Sequence, residues 1–157
     1  MKKRTAYNYK ITYHWLLAVV VLIINSCISL VSSYDVQVKQ QIESISKEVD
    51  RFYLEMLENT SSEKEGRAYQ KFSKEYVKIE VELNALLTKN KVRPLNTNST
   101  RICEITLQLW IKYKEEHKTD NTLSNGLIKL NRKTFNDLFF AMQVAEEGKM
   151  YKLTNQN

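Results

Sequence analysis

Glycine and proline are nearly absent from this chain, with three of the first and one of the second in 157 residues. So few breakers exclude a fold built from many short strands and tight turns, and they leave long helices as the economical alternative. Histidine and cysteine are as scarce, two of each. His14 lies in the apolar N-terminal region and Cys27 just after it, so only His117 and Cys103 remain for chemistry in the rest of the chain. A structural zinc site takes three or four N, S or O ligands at short spacings, and neither C-x-x-C nor H-E-x-x-H occurs. Phosphate-binding glycine loops are excluded too, because Gly66, Gly126 and Gly148 are isolated. No metal and no cofactor is expected.

Acidic residues are missing from the first 34 positions, where Lys2, Lys3, Arg4 and Lys10 stand alone. The formal charge of +6 therefore belongs mostly to that segment, and from Cys27 onward 20 basic residues face 18 acidic ones. A nucleic-acid partner would need Lys and Arg gathered on the domain itself, so none is expected.

What the N-terminus does have is an uninterrupted apolar run, Trp15 to Ile24, followed by Asn25, Ser26 and Cys27. A bilayer-spanning helix needs about 20 apolar residues, so this run has the size of the hydrophobic region of an export signal. Two readings follow. In Ile24-Asn25-Ser26-Cys27 an aliphatic residue stands three before a cysteine and a small one directly before it, a pattern similar to the lipobox of bacterial lipoproteins. Cleavage between Ser26 and Cys27 would make residues 1–26 a signal peptide and leave lipid on the Cys27 sulfur. Alternatively Ile28, Leu30 and Val31 extend the apolar stretch into a retained signal anchor over 15–33. Either way the basic flank keeps the N-terminus inside and sends the rest of the chain across the membrane.

After a short tether, 27–33, the sequence predicts an all-α domain over 34–150 and a disordered tail over 151–157. Ser32 with Asp35 has capping-box spacing for a first helix, and Val38, Ile42, Ile45, Val49, Phe52 and Met56 repeat at helical intervals behind it. Asn59-Thr60-Ser61 ends that helix, and Ser62 with Glu65 forms a second box. Tyr69, Phe72, Tyr76, Ile79, Leu83 and Leu86 then make another stripe. The loop around Pro94 precedes a third helix with Ile102, Ile105, Leu109 and Tyr113 on one side and Trp110 beside them. A fourth carries Leu127, Leu130, Phe135, Leu138, Met142 and Ala145, and Gly148 is placed as its C-terminal cap. Wide stripes, with Tyr53, Leu57, Leu87 and Phe139 beside them, favour an up-down four-helix bundle over a coiled coil.

Candidate chemistry is thin. Cys103 reads as a small buried hydrophobe, with a reactive thiol as the alternative. His117 lies in a charged helix end and suits the dipole there. The pairs Glu115-Glu116 and Glu146-Glu147 point about 100° apart on a helix and read as solvated faces. The tyrosines Tyr53, Tyr69, Tyr76 and Tyr113 have core spacing, with stacking on sugars or bases as the alternative.

The run Cys27-Ile28-Ser29-Leu30-Val31-Ser32-Ser33-Tyr34-Asp35 resembles the mature start of a family of short bacterial envelope lipoproteins, in which Cys-[Ile/Val]-Ser-Leu-[Ile/Val] is followed shortly by Tyr-Asp and a helix. A looser likeness continues through Phe72, Tyr76, Leu130 and Phe135-Asn136. The long, tyrosine-rich leader and the ending Ala145-Glu146-Glu147-Gly148-Lys149 depart from the family's pattern. The resemblance implies a helical domain in the cell envelope and no particular function; a lipid anchor with the domain facing the periplasm is expected, with the outer membrane favoured over the inner as its site. The expected partners are membrane lipid, through acylated Cys27, and another envelope protein, with no enzymatic role. An inner-membrane signal-anchored protein with a periplasmic coiled coil, and a small ligand-binding or enzymatic helical domain, are the other two readings.

Overall fold

The computed structural model describes residues 31–58 and 66–154, with side chains through Tyr151. The apolar run, the lipobox with Ser26 and Cys27, the turn at 59–61, the Ser62–Glu65 box and the last three residues lie outside the described residues. Four helices make up the domain: α1 Val36–Glu58, α2 Tyr69–Lys91, α3 Thr97–Asp120 and α4 Asn125–Thr154. Each packs on its neighbours in the order α1, α2, α3, α4 and back to α1, with no packing across the diagonals. This is the expected four-helix bundle, and a coiled coil is overturned by that closed ring. The start of α1, the α2–α3 corner and the end of α4 share one end of the bundle, here the near end. The start of α2 and the α3–α4 corner share the far end.

The stripes of α1 and α2 pack as their spacing predicts. Val38, Ile42, Ile45, Val49, Phe52 and Met56 are all buried, as are Tyr76, Ile79, Leu83 and Leu86, with Tyr69 and Phe72 half-buried at the far end. The middle of the core is aromatic. Phe52 meets Tyr76 edge-on at 4.7 Å and Trp110 at 5.4 Å, and Trp110 meets Phe135 at 5.4 Å. The Trp110 indole N–H donates to the Tyr76 carbonyl at 3.0 Å, so its one polar atom is satisfied in a dry site.

Helices α3 and α4 match the predicted faces in part: Trp110, Phe135, Phe139 and Met142 are buried as expected, but the buried line is shifted at the other positions. On α3 the buried line is Cys103, Thr106, Leu107, Trp110 and His117, while Ile102, Ile105, Leu109 and Tyr113 are only partly covered. Thr106 tolerates burial because its hydroxyl donates to the Ile102 carbonyl at 2.8 Å. On α4 the buried line is Ile128, Asn131, Phe135, Phe139, Met142, Glu146 and Lys149, whereas Leu127 and Leu130 are 45% and 58% exposed. Gly148 is no cap: α4 runs through it to Thr154, so 151–154 continue the helix instead of forming a tail. With 30 residues, α4 is the longest element, about 45 Å by its rise.

Candidate functional site

The most elaborate arrangement in the domain lies at the near end, where the chain arrives from Cys27. Asp35, not Ser32, caps α1. Its carboxylate accepts the Gln37 and Val38 backbone N–H groups at 2.8 and 3.2 Å. The reciprocal half of a capping box, a glutamate accepting the cap residue's own N–H, comes from 111 residues away: Glu146 Oε1 accepts the Asp35 N–H at 2.8 Å. A residue read as solvated is thus 1% exposed and closes the first turn of another helix.

Glu146 is held in turn by two cations. Arg93, from the α2–α3 corner, contacts both carboxylate oxygens at 2.8 and 3.0 Å, and Lys149 contacts Oε2 at 2.6 Å. Burial alone would raise the Glu146 pKa, but the bonds from Arg93, Lys149 and the Asp35 N–H outweigh it and leave the carboxyl below its ordinary range. Burial dominates at Lys149 and lowers its pKa, against the pull of Glu146.

Ser32 and Ser33 are fixed by the same network. The Ser32 N–H donates to the Leu95 carbonyl at 3.1 Å, its hydroxyl donates to Asn96 Oδ1 at 2.8 Å, and Arg93 donates to the Ser33 carbonyl. Asn96 also accepts from Lys149 at 2.8 Å and donates to both oxygens of Asn90, at 3.0 Å to the carbonyl and 2.8 Å to the side chain. Every member of this set is paired, which is the condition for burying so much polarity without a net penalty. The last residues of the expected tether, 32 and 33, are therefore part of the bundle. Leu95 completes the corner with a left-handed backbone, φ 57°, a conformation that costs a leucine about 1 kcal/mol or more.

The far end holds a smaller polar cluster around His117. Its side chain is wholly buried, not solvated at a helix end. Nε2 lies 2.7 Å from the Arg67 carbonyl and Nδ1 3.2 Å from the Tyr76 hydroxyl. A carbonyl only accepts, so Nε2 carries the proton and the Tyr76 hydroxyl donates to Nδ1. Both ring nitrogens are occupied by groups of the fold, and burial lowers the histidine pKa. Nearby, Arg67 donates to the Leu123 carbonyl at 3.0 Å, and Asn121, itself left-handed at φ 51°, accepts the Tyr69 N–H at 3.0 Å to cap α2. Cys103 is buried 3.9 Å from the Met142 sulfur, and burial pushes its thiol up to about 12. Such a thiol is not a nucleophile near neutrality.

Among the described residues, the depressions lie along α1, lined by residues such as Glu43, Lys47, Glu48 and Arg51 or Asp50, Leu54 and Arg132; both are open, and none of the groups above lines them. Among the described residues no three His, Cys, Asp or Glu side chains group to hold a metal ion, and no helix is long and apolar enough to cross a membrane. Comparison with known proteins places no neighbour beside the chain: no family model, no curated protein and no solved structure matches it.

Proposed function

We propose that this chain is an envelope lipoprotein, attached through lipid on Cys27, whose bundle serves as a non-enzymatic binding module for another envelope protein. The observation that carries this reading is the junction. Ser32, five residues after Cys27, is already inside the hydrogen-bond network of the bundle, so a lipid on Cys27 would hold the domain on a very short lead. Acyl chains contribute roughly 0.8 kcal/mol per buried CH₂, so the several chains of a bacterial lipoprotein give an anchorage that does not exchange. The filled aromatic core supports a binding role over a reactive one, since His117, Tyr76 and Trp110 inside it are spent on groups of the fold.

The outer face of α4 is the surface proposed for the partner. Phe140 and Val144 are 67% and 52% exposed, and Ala141 and Gly148 lie beside them on the same side of the helix. Apolar residues exposed this far at helical spacing, here flanked by Asp137 and Glu147, are uncommon on a surface that meets only water.

Lipid attachment is tested at Cys27. The diacylglyceryl group goes onto its sulfur and cleavage precedes the same residue, so wild type should incorporate labelled palmitate and lose residues 1–26. Cys27→Ser should stay unlabelled and full length. A wild-type chain that keeps Met1 to Ser26 and takes no lipid would instead be a signal-anchored protein, and the lipoprotein reading would be abandoned.

A further inference from the structure

From the near end of the bundle, we infer that the α2–α3 corner is a membrane-contacting surface, seated in the headgroup layer of the bilayer that holds the chain's own N-terminus. This rests on the proposed membrane attachment, by lipid or by anchor, and goes beyond it by assigning which face meets the lipid.

Chain length makes the contact hard to avoid. Ser32 donates its backbone N–H to the Leu95 carbonyl at 3.1 Å, and Ser32 stands only five residue steps after Cys27. Fully extended, they span about 17 Å, less than the length of α2. The corner therefore cannot leave the neighbourhood of the bilayer while the Ser32 pairing holds.

The chemistry of the corner suits that place. Val92 and Leu95 are 76% and 59% exposed, and Pro94 between them is exposed as well. These are poor residues for a water-facing turn, and Leu95 is presented on left-handed backbone at the energetic cost already noted. From Leu83 to Cys103 the chain carries Lys89, Lys91, Arg93 and Arg101 and no acid. Arg93 is committed to Glu146, while Lys91 and Arg101 are held only by ion pairs with the partly exposed Glu104 at 3.5 and 3.4 Å, which an anionic headgroup can replace. Apolar tips that dip below a ring of basic residues are how a protein sits in the interface of an anionic membrane, the apolar groups entering roughly 5–10 Å and the cations pairing with phosphates. Val36, 52% exposed at the start of α1, adds to the apolar surface of the same end.

The test uses the full chain, purified from membranes and reconstituted in vesicles that contain phosphatidylglycerol and lipids with a quencher on the acyl chain. An environment-sensitive fluorophore is placed by Val92→Cys at the corner, or by Lys118→Cys at the far end of α3. The unsubstituted chain treated with the same dye sets the background from Cys27 and Cys103. The expected result is quenching of the Val92 label by at least about twofold with no change at Lys118, as a tip buried to that depth requires. Equal quenching at both sites would mean a bundle lying on its side, and no quenching at Val92 would mean a corner facing water or a protein; either overturns the inference. Palmitate labelling of the same preparation separates the two readings. A quenched corner on an unlipidated, uncleaved chain keeps this inference and discards the lipoprotein, whereas an unquenched corner on a lipidated chain does the reverse.

Discussion

His117 illustrates how a residue that looks available for chemistry can be fully spent on structure. It sits in Lys114-Glu115-Glu116-His117-Lys118, where four charged neighbours suggest a solvated turn, yet it falls on the buried line with Trp110. Its neutral form fits a carbonyl on one side and a hydroxyl on the other, and a second ring proton would displace the Tyr76 donor. Burial lowers its pKa in the folded chain, so the unfolded chain takes up a proton first as pH falls. The stabilisation is fully present above pH 6.5 and declines below it, at up to about 1.4 kcal/mol per pH unit, until the folded chain protonates as well. Denaturant titrations from pH 7 to about 5 should show that slope, and His117→Gln should flatten it while lowering stability at pH 7. Glu146 loses its share only below the ordinary carboxylate range, which keeps the two windows apart. A second expectation concerns Tyr53, whose buried hydroxyl makes no well-formed hydrogen bond and has only a weak side-chain one with Asn131 to offset its burial. Tyr53→Phe removes that polar atom from the core and should raise stability by about 1 kcal/mol, read as a higher denaturant midpoint at unchanged slope.

At the scale of the element, the two starts of helix that carry the most polar chemistry are closed from afar. Asp35 takes the free N–H groups of α1 while Glu146 takes that of Asp35, and Asn121 takes the N–H of Tyr69. Local sequence rules find Asp35 as part of a cap and miss the other half, because its partner lies on α4. The same cause explains the shifted buried lines of α3 and α4. The stripes of α1 and α2 are legible since every position on them is apolar, whereas the buried line of α4 includes Asn131, Glu146 and Lys149. A reader of periodicity sees charge at those positions and moves the stripe to Leu127 and Leu130. Polar residues can occupy core positions only where the fold supplies partners, and those of Glu146 and Lys149 come from residues 35 and 93 to 96, which no local pattern connects to α4. Removing the central carboxylate should therefore be costly. Glu146→Gln leaves Arg93 and Lys149 facing each other without their anion and is expected to lower stability by about 3 kcal/mol. Asp35→Ala, which removes the cap alone, should cost about 1 kcal/mol. Hydrogen exchange should localise both effects to the first turn of α1.

For the molecule as a whole, the proposed binding role places recognition on a different surface from stability. The bundle is held by its aromatic middle and by the two polar ends, and the outer face of α4 contributes to neither. Phe140 and Val144 stand exposed on a bundle where charged residues such as Lys39 and Lys114 pair between helices, with Glu147 at 2.9 Å and Glu80 at 2.7 Å. A surface that serves only solubility loses nothing when a charge replaces an exposed phenylalanine. Phe140→Glu should consequently leave the unfolding midpoint within about 0.5 kcal/mol of wild type. If α4 is the partner surface, the same substitution should abolish recovery of the partner in pulldowns from solubilised envelopes, while Ile111→Glu on α3, where the wild-type residue is 37% exposed, should not. The two measurements must be made together, because a charge at the centre of an apolar contact weakens binding by leaving a desolvated group unpaired, and only an unchanged midpoint assigns the loss to the interface. Undiminished recovery with Phe140→Glu would remove α4 as the partner surface, and recovery of no specific protein by wild type would count against a binding role altogether.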